Sequence, residues 1–245
     1  MKIGYNVLTL MPITVDIGIT GHVCIVGGTG TGKSICTLYL LYNLAKNYEV
    51  KLWICDFKKT GDYVGISDQC AEYVDVTRCI EEFYTEFVNT PENNSQIKVL
   101  LIDEYAGYLI WLSQRNKRKA EEIKQLVSEI LMLGRSRRCF VWCVQQRISA
   151  ALFPASIGAI DNFQICIGLG RLSVESRKSL FAGEHLGNVA FEEAYHPKTG
   201  QGLVLIDGQE LQPLQVPYIS DKERLKLMMR KIQNGKEIFG KKGVD

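Results

Sequence analysis

The stretch Gly27-Gly28-Thr29-Gly30-Thr31-Gly32-Lys33-Ser34 constrains this chain more than any other part of its sequence. It fits the pattern G-x-x-x-x-G-K-[ST] and lies between a buried apolar run, 22–26, and a segment of helical spacing, 33–46. In that context the backbone N–H groups of the loop surround a phosphate, and the helix N-terminus adds its partial positive charge. We therefore predict a nucleotide site, with Lys33 at the β and γ phosphates and the Ser34 hydroxyl on Mg²⁺.

The rest of the chain alternates apolar, strand-like runs with segments of helical period, which predicts an α/β fold with a mostly parallel sheet flanked by helices. Further strands are predicted at 51–55, 98–102, 139–144 and 163–167, and helices at 77–88 and 117–133, the second ending at Gly134. Residues 202–206 and 211–216 flank Asp207-Gly208 and predict a C-terminal β-hairpin. Ser220 has the spacing of a capping box before a last helix.

The amino-acid composition is that of a packed globular protein. With 245 residues, 46% hydrophobic and 23% charged, we expect a packed domain over residues 1–235 and a flexible tail over 236–245. No apolar run approaches the roughly 20 residues that cross a bilayer, and no export signal begins the chain, so we expect a cytoplasmic protein. The eight cysteines form no C-x-x-C pair and are expected to be reduced and buried. Because the net charge is only +2, a nucleic-acid partner would have to bind local basic loops.

Asp103 and Glu104 follow the predicted strand 98–102. Asp103 is the candidate that orients the Mg²⁺ shell, and Glu104 is the candidate general base for an attacking water; alternatively, Glu104 is a solvated residue at the start of a helix. A kinase would need a lid and an acceptor pocket, of which we find no clear signature. A GTP-binding switch would need Asn-Lys-x-Asp, whereas Asn116-Lys117 continues as Arg118-Lys119. ATP hydrolysis is favoured over both.

Polar residues also flank the predicted strand 139–144. Gln146 follows it and is either a sensor of the γ-phosphate or a surface residue. Arg135, Arg137 and Arg138 precede it, and an arginine that reaches a neighbouring subunit's γ-phosphate can raise the rate by roughly 10³ to 10⁵. The alternative for each arginine is a solvated cap on the preceding helix.

These motifs together resemble the motor domain of the FtsK/SpoIIIE DNA translocases, in the FtsK–HerA group of RecA-like P-loop NTPases that is related to conjugative coupling proteins. The resemblance covers about 13–232 and rests on residues 21–27, Asp56-Phe57-Lys58, 102–105, Gly134-Arg135, Gln146-Arg147, Asn162, Ser176-Arg177 and 200–202. The chain departs from the family pattern at three positions: Phe57 replaces the proline of Asp-Pro-Lys, Gln145 replaces a threonine and Ile148 replaces a proline.

The resemblance implies a homo-oligomeric ring of six subunits that moves double-stranded DNA, with ATP bound between subunits and Arg135 or Arg177 acting in trans. Candidate DNA contacts are Lys58, Lys59, Arg147 and four residues of a predicted loop over 113–119, namely Arg115, Lys117, Arg118 and Lys119; that loop is alternatively a solvated helix start.

We thus expect an ATP-driven DNA translocase or coupling ATPase of a plasmid, phage or integrative element. One alternative is an ATP-binding adaptor that recruits a relaxase or a replication protein without translocating. A packaging or secretion ATPase that acts on protein is a further, disfavoured possibility.

Overall fold

The computed structural model describes residues 1–18, 20–149, 152–153, 159–187, 191 and 194–233. Its strands form one ten-stranded sheet in the order β2-β1-β10-β9-β8-β3-β7-β6-β4-β5. The strands are β1 (Lys2–Asn6), β2 (Pro12–Thr14), β3 (Val23–Gly27), β4 (Val50–Asp56), β5 (Gln69–Glu72), β6 (Ile97–Asp103), β7 (Cys139–Gln145), β8 (Ile165–Leu169), β9 (Gln201–Ile206) and β10 (Gln212–Gln215). The helices are α1 (Lys33–Asn47), α2 (Val76–Asn89), α3 (Tyr105–Arg115), α4 (Lys117–Arg137), α5 (Val174–Phe181) and α6 (Lys222–Gln233).

The sheet has a parallel part and an antiparallel part. Strands β8, β3, β7, β6, β4 and β5 pair in parallel, so their carboxyl ends meet at one edge of the sheet. Strands β9, β10, β1 and β2 continue the sheet with antiparallel pairs. Strand β7 separates β3 from β6, so the residues that end β3, β7 and β6 lie side by side at the carboxyl edge.

Helices cover both faces of the parallel part, which explains its continuous apolar strands. In β3, Cys24 and Val26 pack into the cluster under α2, α3 and α4, whereas Val23 and Ile25 pack into the cluster under α1. Met229 of α6 belongs to the second cluster and closes that face beside α1. The predicted α/β fold with a mostly parallel sheet, a C-terminal hairpin and a final helix is confirmed.

Two predicted helix boundaries were wrong. Helix α4 continues through Gly134 to Arg137, and Arg138 adopts the left-handed conformation that ends it, with φ of 53°. Gly134 is required for close packing, because a Cβ there would lie 2.0 Å from the carbonyl oxygen of Cys139. At α6, the Asp221 carboxylate accepts the N–H of Arg224 at 2.8 Å, so Asp221 rather than Ser220 caps the helix.

Several strands and helices were not predicted from the sequence, and one predicted loop is helical instead. Strands β1, β2 and β5 and helices α3 and α5 were not predicted, and the predicted loop over 113–119 is the end of α3 and the start of α4, joined at Asn116. All eight cysteines are free, and only Cys70 is more than marginally exposed. None of the helices in the described ranges has the length and hydropathy needed to cross a bilayer. The predicted tail over 236–245 lies outside the described residues.

Candidate nucleotide-binding site

The glycine-rich loop connects the end of β3 to the start of α1, as predicted. Gly30 and Gly32 have φ of 78° and 100°, a left-handed conformation that residues with a Cβ rarely adopt. These turns let the chain reverse and enter α1 within five residues of β3. The loop and the amino end of α1 therefore have the geometry of a phosphate cradle.

A second turn, at Thr199-Gly200, supports this loop from the side. The N–H of Gly200 donates to the carbonyl of Thr31 at 2.9 Å, and the Thr199 hydroxyl donates to the carbonyl of Gly30 at 3.3 Å. Gly170, which follows β8, also packs closely against the glycine-rich loop, because a Cβ there would lie 2.5 Å from Cγ2 of Thr31. Residues 200–202 contribute to the family resemblance, but the support that this turn gives to the glycine-rich loop was not predicted.

Lys33 is the first residue of α1, and its ammonium folds back over the loop. It donates to the carbonyls of Gly27 at 2.7 Å and Gly28 at 3.0 Å. Burial lowers the pKa of Lys33, while the carboxylates of Glu104 and Asp103 act in the opposite direction. The ammonium thus contacts the loop carbonyls and lies within electrostatic range of the acidic pair.

Asp103 ends β6 and is paired in register with Asp56, which ends β4. Both are buried, and Asp103 is 6% exposed. Burial, together with the negative charges of Glu104 and Asp56, raises the pKa of Asp103 to about 7. The carboxylates of Asp56, Asp103 and Glu104 thus outnumber the two nearby ammonium groups, those of Lys33 and Lys58. A bound cation would offset this excess of negative charge.

The residues present fit Mg²⁺ held jointly with a nucleotide. Among the described residues, no three His, Cys, Asp or Glu side chains converge into a metal cage. Mg²⁺ is usually bound through one or two carboxylates together with substrate phosphates and waters, so a full protein cage is not needed. The Ser34 hydroxyl, one residue after Lys33, and the Asp103 carboxylate are the oxygen donors that this arrangement offers.

The Glu104 side chain is largely buried, which argues against the alternative interpretation that Glu104 is a solvated residue at the start of a helix. It has φ of 61°, and its N–H donates to the carbonyl of Val144 on β7 at 2.7 Å. The Lys58 ammonium lies 2.7 Å from Oε1 of Glu104, whose side chain is 11% exposed. The amide of Gln146 donates to the same oxygen at 3.4 Å. The left-handed backbone turns Glu104 out of the strand direction and into contact with these two neighbours.

The two glutamines at the end of β7 differ in position. Gln145 is the last residue of the strand and is buried, whereas Gln146 is exposed and contacts Glu104. This contact connects Gln146, the predicted sensor, to the candidate general base.

The arginines before β7 lie at the opposite edge of the sheet from the loop. Arg137 donates to the carbonyls of Val88 and Thr90 at 3.0 and 2.7 Å, and Arg138 donates to that of Ser95 at 2.9 Å. These two arginines therefore hold the segment that follows α2. Arg135 is exposed at the end of α4.

Arg177 is on the same side of the molecule as the glycine-rich loop. It lines a pocket of about 520 Å³ together with Arg171, His196 and Gly170. Since Gly170 also packs against Thr31, this pocket adjoins the loop of the same chain.

The candidate DNA-binding residues fall into two groups. Lys58, Lys59 and Arg147 follow β4 and β7 at the carboxyl edge, and the side chains of Lys58 and Lys59 are 42% and 57% exposed. The second group is at the junction of α3 and α4: Arg115, Lys117, Arg118 and Lys119. Lys119 forms ion pairs with Glu81 and Glu122, and Arg115 lies 4.5 Å from the ring of Trp111. The second group is thus partly engaged within the protein.

Comparison with known proteins assigns a family. The sequence model described as "Helicase HerA, central domain" matches residues 2–146, which is more than half of the chain. No match was found among curated proteins.

Solved structures with the same fold share little sequence with this chain. The pCW3 conjugation coupling protein TcpA with ATPγS has a TM-score of 0.74 and 17% identity, covering 95% of this chain and 70% of TcpA. The cytoplasmic domain of the type VII secretion ATPase EccC from Thermomonospora curvata has a TM-score of 0.68 and 17% identity over 95% of this chain; the chain spans only 30% of EccC. The genome packaging NTPase B204 from Sulfolobus turreted icosahedral virus 2 has a TM-score of 0.50 and 16% identity, covering 80% of this chain and 98% of B204. The fold is that of RecA-like ATPases.

Proposed function

Because the chain belongs to the family of P-loop ATPase domains defined by the central domain of the HerA helicase, we propose that it hydrolyses Mg·ATP and uses the energy to move DNA. The observation that carries this proposal is the convergence of Lys33, Asp103 and Glu104 at the carboxyl edge of the sheet, beside a glycine-rich loop. Binding and hydrolysis need a cradle, a cation site and a base, and these residues supply candidates for all three.

The chain's own residues have distinct roles in the proposed reaction. The loop from Gly27 to Gly32 binds the phosphates through its N–H groups, and Lys33 neutralises charge on the β and γ phosphates. Ser34 and Asp103 hold Mg²⁺, which supplies charge stabilisation to the phosphates when bound. Ser34 lies in the first turn of α1 and Asp103 ends β6, so both donors are at the carboxyl edge of the sheet.

Glu104 acts as the general base. A water oxygen forms a bond to the γ-phosphorus, the bond from that phosphorus to the β–γ bridging oxygen breaks, and the Glu104 carboxylate takes the water's proton. ADP and inorganic phosphate leave. Gln146 contacts Glu104 and is placed to respond when the γ-phosphate departs.

We further propose that the protein is a cytoplasmic homo-oligomer, a ring of six subunits of this ATPase domain around double-stranded DNA. The family membership supports an assembled motor, and TcpA and B204, which share its fold, are named for conjugative coupling and genome packaging. The position of Arg135 at the edge opposite the loop supports a role for it in trans. Lys58, Lys59 and Arg147 at the carboxyl edge are the favoured phosphate contacts, since lysines and arginines there would bind DNA without sequence preference.

The experiment is steady-state ATP hydrolysis with and without duplex DNA, combined with single-molecule tracking on a DNA track. Stimulation by duplex DNA together with directional movement supports the proposal. Hydrolysis that is indifferent to DNA in an assembled sample contradicts it. Nucleotide-dependent DNA binding without movement instead identifies an adaptor that recruits a relaxase or a replication protein.

A further inference from the structure

The contact between Lys58 and Glu104 joins a candidate DNA ligand to the candidate general base. Lys58 belongs to the loop after β4, and Glu104 follows β6, the neighbouring strand. Their ammonium and carboxylate oxygen are 2.7 Å apart, which is the length of a charge-assisted hydrogen bond. The sequence analysis gave these residues unrelated roles.

This contact holds the Glu104 carboxylate in one orientation. The same oxygen, Oε1, also accepts from the amide of Gln146. A base must direct an oxygen lone pair at the attacking water, and two donors on Oε1 fix the direction of the whole carboxylate, so Glu104 cannot turn either oxygen freely while they hold it. Burial is the main cause of the lowered pKa of Lys33, and the charge of Lys58 acts in the same direction as the smallest of the causes, so the two ammonium groups lie within electrostatic range of each other.

The lysine is accessible from outside, unlike its partner. Its side chain is 42% exposed, against 11% for Glu104. The next residue, Lys59, is more exposed still, and its ion pair with Glu72 is long at 4.0 Å. A polyanion that approaches this edge can therefore reach the Lys58 ammonium without displacing packed side chains.

We propose that Lys58 is a positioning residue that restrains Glu104, and that a phosphate of the DNA backbone releases the carboxylate by binding the Lys58 ammonium. The inference rests on the proposed function, in which Glu104 takes the proton. It supplies a physical link between the polynucleotide and hydrolysis: a DNA phosphate on the solvent side attracts the Lys58 ammonium away from the more buried Glu104 and so weakens its hold on the carboxylate.

The test is the rate of ATP hydrolysis by Lys58→Ala and the wild type, each with and without duplex DNA. Without DNA, we expect Lys58→Ala to be about two- to five-fold faster than the wild type, the effect of removing a partly exposed ion pair worth about 0.4–1 kcal/mol. Stimulation by DNA should shrink by a similar factor. Lys58→Arg should restore the low DNA-free rate, because a guanidinium can hold the carboxylate as the ammonium does.

Lys222→Ala is the matched control. The Lys222 side chain is also 42% exposed and forms an ion pair, at 3.5 Å, with Asp62, but it does not contact the acidic pair. This variant should keep both wild-type rates. A DNA-free rate of Lys58→Ala equal to or below that of the wild type would overturn the inference, including the case in which the γ-phosphate of ATP already displaces Lys58.

The same assay separates this inference from the proposed function. If the wild type hydrolyses ATP and DNA stimulates it, the proposed function stands, whatever Lys58→Ala does. If the wild type has no such activity, both the proposed function and the inference fail.

Discussion

Asp56 and Asp103 end neighbouring parallel strands in direct register, which places two buried carboxyl groups on the same face of the sheet. Burial, the charge of Glu104 and, after it, the charge of Asp56 raise the pKa of Asp103 to about 7. A buried like-charged pair destabilises the folded protein unless a cation offsets it. Binding of a cation beside this pair of carboxyl groups is therefore expected to stabilise the folded protein.

Asp103→Asn should consequently stabilise the protein when no metal is present. In EDTA at pH 8 we expect its free energy of unfolding to exceed that of the wild type by up to about 4 kcal/mol, an order-of-magnitude figure from the rise in the pKa of Asp103. Adding Mg·ATP should raise the melting temperature of the wild type more than that of the variant. Equal responses to Mg·ATP would contradict the assignment of Asp103 to the metal.

Glu104→Gln should separate nucleotide binding from hydrolysis. The amide keeps the size of the side chain but cannot accept the water's proton, so we expect hydrolysis to fall by about 10²- to 10⁴-fold. Binding of Mg·ATP, measured by equilibrium titration, should stay within a few-fold of the wild type. A variant that hydrolyses ATP normally would show that another group takes the proton.

Two helical glycines provide a matched pair for the packing of the core. A Cβ at Gly107 in α3 would make an ordinary contact, 3.7 Å from Cε1 of Phe57, whereas one at Gly134 in α4 would lie 2.0 Å from the carbonyl oxygen of Cys139. Gly107→Ala should raise the free energy of unfolding by about 0.5–1 kcal/mol through helix propensity. Gly134→Ala should lower it by about 1–3 kcal/mol through overpacking. Chemical denaturation measures both, and changes of the same sign would refute the argument.

His22 should make the stability of the protein depend on pH. It is fully buried, its Nδ1 accepts the N–H of Val141 at 2.9 Å, and its Nε2 has no hydrogen-bond partner among the described residues. Burial, and secondarily the charge of Arg135, lowers the pKa of His22 from 6.5 to about 3. Between these pH values the unfolded chain binds a proton that the folded chain does not, so the contribution of His22 to stability is present above pH 6.5 and is lost as the pH falls toward 3.

The measurement compares the wild type with His22→Gln, because other buried groups also titrate. From pH 7 to pH 5, we expect the free energy of unfolding of the wild type to fall by about 2 kcal/mol relative to the variant. Parallel pH profiles for the two proteins would show that His22 is protonated without cost.

The strands that the sequence predicted well are those buried on both faces. In β3, β4, β6 and β7 every side chain or nearly every one is apolar, so the pattern is visible without knowledge of the fold. Strands β2 and β5 are short edge strands, and β1 lies next to the edge strand β2, where no such run is required. Helix α3 was missed because Glu104, with its left-handed backbone, precedes it without a side-chain cap.

The candidate site also has one part that could be predicted from the sequence and one part that could not. The loop that ends at Lys33-Ser34 is contiguous in sequence, and so is the pair Asp103-Glu104, so both could be predicted. The contact of Lys58 with Glu104 and that of Gly200 with Thr31 depend on which strands are neighbours. Strand order is set by the packing of the whole sheet, and no local pattern encodes it.

The central claim is that the loop ending at Lys33 binds Mg·ATP, and an equilibrium titration of assembled Glu104→Gln with Mg·ATP in the presence of duplex DNA tests it most directly, since this variant should not consume the ligand. The account predicts saturable binding that depends on Mg²⁺ and is lost when Lys33→Ala is added. Absence of Mg·ATP binding in every assembly state, or binding unchanged by Lys33→Ala, would contradict it.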